Sequence, residues 1–217
     1  MMTSKKKYKV KTKKNVLIPT RDGTKLAADI YMPDSPEKFP VIIEYVPYRK
    51  DDLEVAYSVP RLEYFVERGY IGVLLDIRGT GSSEGLTDRM MRKQEWEDGY
   101  DAVEWIAKQD WCDGKIGMTG LSYPGYASYL VAARNPPHLK AVIPMYAGDD
   151  FYDLNYPGGN PRFGFRVMYN SMMTSLNASP PAIDSGGRWL EVWKEHLEDN
   201  VPWIINFLEK QIIYYHI

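Results

Sequence analysis

Lys115-Ile116-Gly117-Met118-Thr119-Gly120-Leu121-Ser122-Tyr123-Pro124-Gly125 reads as a buried strand running into a sharp turn with one serine at its apex. A short apolar run, Ile116 to Met118, precedes the serine. Tyr126 to Ala133 follows it as a helix pattern that Asn135-Pro136-Pro137 ends. Strand, turn and helix in that order are the setting of a nucleophile elbow, a strained turn whose neighbours must be small enough for backbone and side chains to pass closely. Ser122 is therefore the candidate nucleophile. The glycines stand two before and three after it, giving G-x-S-x-x-G, with Pro124 where the stricter pentapeptide has glycine. Such a spacing arises by chance too often to decide anything alone, so the surrounding chain has to carry the reading.

Upstream, Val10 to Ile18 and Lys25 to Tyr31 are strand-like runs around Thr20-Arg21-Asp22-Gly23, whose Asp-Gly predicts an antiparallel hairpin. Val41 to Val46 is apolar enough for a central strand and stops at Pro47-Tyr48-Arg49-Lys50. Pro60 is expected to start a helix with Leu62, Phe65 and Val66 on one face, ended by Gly69 before a buried strand from Ile71 to Asp76. A glycine-rich stretch, Asp76 to Gly85, follows. It lacks the Lys-Ser/Thr ending of a phosphate-binding loop and does not fit the dinucleotide spacing, so Asp76 and Arg78 are read as structural ion-pair partners. Gln94 to Lys108 is expected as a helix burying Trp96, Tyr100, Val103 and Ala107, with Glu95, Glu97, Asp98 and Glu104 largely outside that stripe. Lys140 to Pro144 is a further short strand.

Strands and helices thus alternate from Val41 to Met145, which predicts an α/β fold with a mostly parallel sheet and helices on both faces. Ligands in such sheets bind beyond the carboxyl ends of the strands, where Tyr48, Arg78, Ser122 and the stretch from Tyr146 to Asp153 all fall. After Pro157-Gly158-Gly159-Asn160-Pro161 the character changes to helical runs at Phe163 to Leu176 and Trp189 to Glu198, separated by a Ser/Pro-rich gap. Residues 1–160 are read as the core and 161–217 as a partial helical lid. The last stretch, Phe207 to Ile217, is an apolar run without a cap and is expected to leave hydrophobic surface uncovered.

Composition narrows the function. The chain has 217 residues, 44% hydrophobic and 26% charged, with a net charge of -2, which suits one globular domain with a small appendage and gives no sign of a nucleic-acid partner. No apolar span suggests a membrane, and the lone cysteine excludes an internal disulfide, so the cytoplasm is the expected setting. Cys112 lacks a local base and is expected to be buried and inert. The lysines between Lys5 and Lys14 are expected to form a solvated arm.

Residues 10–160 resemble the opening of the CocE/NonD hydrolases, the family that includes cocaine esterases, α-amino-acid ester hydrolases and S15-like X-prolyl dipeptidyl-peptidases. The resemblance rests on Thr20-Arg21-Asp22-Gly23-Thr24-Lys25-Leu26, Pro47-Tyr48-Arg49-Lys50, Asp76 to Gly85, and Gly117 to Gly125. It implies an α/β-hydrolase fold, with Ser122 as acyl-accepting nucleophile and an oxyanion hole made by the Tyr48 hydroxyl and the Tyr123 backbone N–H. It implies neither cofactor nor metal, and a small-molecule ester or amide as substrate. Two donors aimed at a developing oxyanion are worth about 3 kcal/mol each.

A serine nucleophile needs a base, and the chain has three histidines. His138 lies in a helix-to-strand connection away from the elbow, His196 in the lid, and His216 one residue from the end. By resemblance the triad Asp and His come after the lid, so no Asp or His here is assigned to either role. The chain is accordingly expected to be the first part of such an enzyme, incomplete at the C-terminal side. Two alternatives stand beside an active hydrolase: a non-catalytic fragment, or a subunit that needs self-association or a complementing chain. Substrate branch is open as well. Asp149, Asp150 and Asp153 suit recognition of an α-amino group, as in an X-Pro aminopeptidase, or an ordinary loop; Tyr156-Pro157-Gly158-Gly159 resembles the esterase branch.

Overall fold

The computed structural model describes residues 5–182 and 187–214, the side chains of 211–214 excepted. Six strands form one sheet: β1 (Val10–Pro19), β2 (Lys25–Pro33), β3 (Phe39–Val46), β4 (Ile71–Asp76), β5 (Cys112–Leu121) and β6 (Leu139–Met145), in the order β1-β2-β4-β3-β5-β6. The hairpin β1–β2 and the β2–β4 pair are antiparallel, while β4, β3, β5 and β6 run parallel. The sheet is mostly parallel, as the alternation of elements predicts, and the architecture is the α/β-hydrolase fold that the resemblance implies. Every residue of β4 is buried, as expected of a strand covered on both faces.

Strand order explains where a site can form. From β3 the chain crosses through α1 (Val55–Val66) to β4 on one side, then through α2 (Lys93–Ala107) to β5 on the other side of β3. Right-handed crossovers in opposite directions put their helices on opposite faces of the sheet and leave a crevice between the loops that follow β3 and β5. Those loops carry Tyr48 and Ser122. Leu62 and Val66 of α1 pack with Tyr31, Val46 and Leu74, whereas Ala102, Val103 and Ile106 of α2 join Ala127 and Val131 of α3 (Tyr123–Ala132) in the larger core. Gly72 brings α1 close to β4, since a Cβ there would meet Leu62 Cβ at 2.8 Å.

Two expectations need correction. The first helix begins at Val55, not Pro60, which sits inside it. Proline removes only one backbone bond near a helix start, and the carbonyl of Glu54 already accepts from the Ser58 N–H, so the turn forms before it. The second concerns α2, whose buried face is Glu95, Asp98, Gly99, Ala102, Val103 and Ile106. Glu95 and Asp98, expected in solvent, are inside because Tyr123 and Arg78 supply partners, while Glu97 and Glu104 stay partly exposed, and Trp96, Tyr100 and Ala107 are only partly buried.

Beyond β6 come α4 (Phe151–Asn155), α5 (Phe163–Ala178), α6 (Trp189–Asp199) and α7 (Trp203–Tyr214). Phe207 is buried against Phe163, ring centroids 5.7 Å apart, so the start of the last apolar run is covered and not exposed. The remainder of that run, from 211 with His216, lies outside the described side chains. Cys112 is buried at the start of β5, and burial pushes its thiol up, which fits an inert cysteine. Among the described residues no helix is long and apolar enough to cross a membrane.

Candidate active site

Ser122 is exposed at the turn from β5 into α3, with φ +64° and ψ -117°, a strained conformation for a residue with a Cβ. Its N–H donates to Met145 O at 2.8 Å, and its carbonyl accepts the first helical bond from the Tyr126 N–H at 3.0 Å. The shifted glycine spacing has a steric reason. A Cβ at Gly120 would meet Pro124 Cβ at 2.2 Å, and one at Gly125 would meet Met145 O at 2.8 Å and Gly120 O at 2.9 Å. Residues 120 and 125 are the close approaches, so position 124 is free to hold a proline in the first turn of the helix.

Tyr48 follows β3 and enters the same crevice. Its ring stands edge-on to that of Tyr123, centroids 6.2 Å apart, and its hydroxyl oxygen is 3.1 Å from that of Tyr169 on α5. Burial raises the Tyr48 phenol above its usual range, while the Tyr169 hydroxyl, the Ser122 side chain and the Tyr123 backbone N–H favour its ionised form. The three groups singled out in the sequence, Ser122, Tyr48 and the Tyr123 N–H, are thus brought to one place. Ser122 and Tyr48 line a cavity of about 300 Å³ with Glu44, Leu53, Glu54, Tyr57, Arg61 and Met172 among its walls.

The other sequence candidates fall elsewhere. Asp149, Asp150 and Asp153 are exposed and outside the cavity; Asp150 caps α4, accepting from the Asp153 N–H at 2.9 Å. The carboxylates lining the cavity are instead Glu44, held by the Arg61 guanidinium, and Glu54, whose side chain accepts from Ser58 Oγ at 2.6 Å. His138 Nδ1 pairs with Glu104 at 2.8 Å. His196 is buried with Nε2 3.0 Å from Ser83 O, and burial pushes its imidazole down to about 4. Neither histidine lines the Ser122 cavity.

The glycine-rich loop is scaffolding. Arg78 and Asp76 are ion-paired or hydrogen-bonded, but not to each other. Arg78 Nε and Nη2 donate to Asp98 at 2.7 and 2.8 Å, and Asp22 accepts from Nη2 as well. Asp76 accepts from the Lys50 N–H at 2.7 Å and the Ser82 N–H at 3.0 Å, joining the loop of Tyr48 to the loop after β4. Gly81 is required there, since its Cβ would meet Asp76 Oδ2 at 2.2 Å. Lys50, fully buried, sits between Asp29 at 3.1 Å and Asp51 at 2.6 Å. Glu95 and Tyr169, which meet Tyr123 and Tyr48, carry no local mark in the sequence, because helical periodicity by itself does not single out a polar residue that is paired inside. No group of three or more His, Cys, Asp or Glu among the described residues could hold a metal ion.

The chain is similar to known proteins in sequence and in fold. The family model described as X-Pro dipeptidyl-peptidase (S15 family) matches residues 22–205. The cocaine esterase of Rhodococcus sp. (strain MB1 Bresler) is 38% identical over 149 residues, covering 67% of this chain and 25% of its own. A crystal structure of a CocE/NonD family hydrolase from Staphylococcus aureus superposes with a TM-score of 0.65 at 29% identity, covering 88% of this chain and 38% of that one. A selenomethionine-labelled α-amino acid ester hydrolase gives a TM-score of 0.53 at 28% identity, covering 74% and 32%. The chain spans about a quarter of the length of that curated relative.

Proposed function

We infer the chemistry of Ser122 from the premise that this chain belongs to the X-Pro dipeptidyl-peptidase (S15) family. Ser122 Oγ attacks the carbonyl carbon of a small-molecule ester or amide, the bond to the leaving group breaks, and an acyl-enzyme forms on the serine. The Tyr48 hydroxyl and the Tyr123 N–H donate to the oxyanion of the tetrahedral intermediate. The serine proton passes to a base and from it to the departing alcohol or amine. The resemblance implies that this histidine and its aspartate lie beyond the lid, so the base comes from outside the described residues. The observation that carries the reading is a strained, exposed Ser122 at +64° opening into the cavity that Tyr48 lines.

Intact mass after exposure to a fluorophosphonate, with Ser122→Ala as control, tests it. Stoichiometric labelling in buffer means that this chain or a second copy of it provides a base. Labelling only with added imidazole means a competent serine awaiting a complementing chain. No labelling under either condition sinks the nucleophile and leaves a non-catalytic fragment.

Esterase action is the first reading of the substrate. An aminopeptidase-type substrate is the second, supported by Glu54, a cavity carboxylate whose only side-chain hydrogen bond among the described residues comes from Ser58. Faster turnover of an Xaa-Pro p-nitroanilide than of a neutral p-nitrophenyl ester would reverse their order. The cytoplasm is the setting proposed, on the strength of one buried thiol at Cys112.

A further inference from the structure

The Tyr48 hydroxyl does not stand alone. Its oxygen lies 3.1 Å from the Tyr169 oxygen, with the two rings edge-on at 83° and centroids 6.5 Å apart. Tyr169 is buried on the inner stripe of α5 with Asn170, Met173 and Asn177. The residue after Tyr48 grips the same helix. Arg49 takes a left-handed φ of +67°, and its guanidinium donates to Leu176 O at 3.0 Å, Ser179 O at 2.7 Å and Pro180 O at the end of α5. The loop that presents Tyr48 is therefore docked on one lid helix at two places about two turns apart.

Counting protons shows what this contact does. Each phenol has one proton to donate. An oxyanion above Ser122 can use the Tyr48 proton only if that proton is not spent on Tyr169. Among the described residues Tyr169 has no other acceptor for its own proton than the Tyr48 oxygen. We propose that Tyr169 is a positioning residue of the oxyanion hole: its hydroxyl donates to Tyr48 Oη, leaving the Tyr48 proton aimed at the oxyanion. A hydroxyl that accepts while it donates is polarised toward stronger donation, so the lid helix sharpens the hole as well as shaping it.

The inference rests on Ser122 being the nucleophile, and its test keeps the two apart. The first arm is a double-mutant cycle on fluorophosphonate labelling of Ser122, with imidazole present, for Tyr48→Phe, Tyr169→Phe and both. Loss of one oxyanion donor slows the reaction about 100-fold, so Tyr48→Phe should do so. Tyr169→Phe should slow it about 10-fold, in the maximal rate and not in the concentration giving half that rate, and the double variant should be no slower than Tyr48→Phe. Losses that multiply, or wild-type labelling by Tyr169→Phe, overturn the proposal. The second arm needs no chemistry at the serine: in protein labelled with ¹³C at tyrosine Cζ, the Tyr169 hydroxyl proton, which loses its acceptor when Tyr48 is phenylalanine, should exchange at least 10-fold faster in Tyr48→Phe than in the wild type. Equal exchange overturns the pairing. A wild type that keeps slow exchange yet never labels overturns the hydrolase reading and leaves the pair in place.

Discussion

The Tyr123 hydroxyl donates to Glu95 Oε2 at 2.8 Å and accepts from the Met91 N–H at 2.9 Å, so the residue after the nucleophile is tied to α2 through its side chain. In the proposed mechanism the backbone N–H of that residue is half of the oxyanion hole. A buried acid on a neighbouring helix thus helps hold a donor whose usefulness depends on its placement.

This anchor has a pH signature. Burial, opposed by the Tyr123 and Arg92 hydrogen bonds, pushes the Glu95 carboxyl from 4.5 up to about 7. A carboxyl raised in the folded state favours folding while protonated: its contribution is full below about 4.5 and is lost as pH rises through about 7. Glu95→Gln should flatten that part of the decline, a difference of up to ~3 kcal/mol across the window, read from urea midpoints at a series of pH values. Asp76, raised from 3.8 to about 7 by burial, titrates in the same sense and should keep a residual slope. An unchanged profile in Glu95→Gln would show that the carboxyl is ionised throughout.

His196 should act from the acid side. Burial lowers its imidazole from 6.5 to about 4, so the unfolded chain binds the proton more tightly. Stability from the neutral ring is full above about 6.5 and lost as pH falls through about 4. His196→Gln, which can still donate to Ser83 O, should lose this acid sensitivity, and thermal melts across the interval will show whether it does.

Gly120→Ala should be among the most damaging single-methyl changes, because the new Cβ would stand 2.2 Å from Pro124 Cβ and 2.6 Å from Pro124 C. Backbone cannot yield there without moving the elbow. We expect a cost of about 3 kcal/mol in urea unfolding, with loss of Ser122 labelling in whatever fraction remains folded.

Arg78→Met should cost about 3–5 kcal/mol, since it strands the fully buried Asp98 without its bidentate partner. Replacing both, as Arg78→Met with Asp98→Leu, should recover a large part of that loss. Equal destabilisation by the single and double variants would refute the pairing as the cause.

Much of this was legible in the chain. Alternation of apolar strands with helix patterns announced a parallel sheet, Asp22-Gly23 announced the hairpin, and Gly120 with Gly125 marked the two close approaches around Ser122, because backbone sterics and burial leave local traces in residue type. Tyr48 was visible as a tyrosine at a strand end. Its company was not. Tyr169 lies 121 positions away and Glu95 28 positions from Tyr123, and each reads locally as an ordinary helix residue.

The sequence by itself therefore determined the sheet, the elbow and the serine at its apex, all of which follow from constraints acting over a few residues. Only the tertiary structure decided that the carboxylates facing Ser122 are Glu44 and Glu54 instead of Asp149, Asp150 and Asp153, and that Glu95 and Asp98 turn inward. A charged side chain goes inside when a partner meets it there, and that partner comes from a distant part of the chain which only folding brings near.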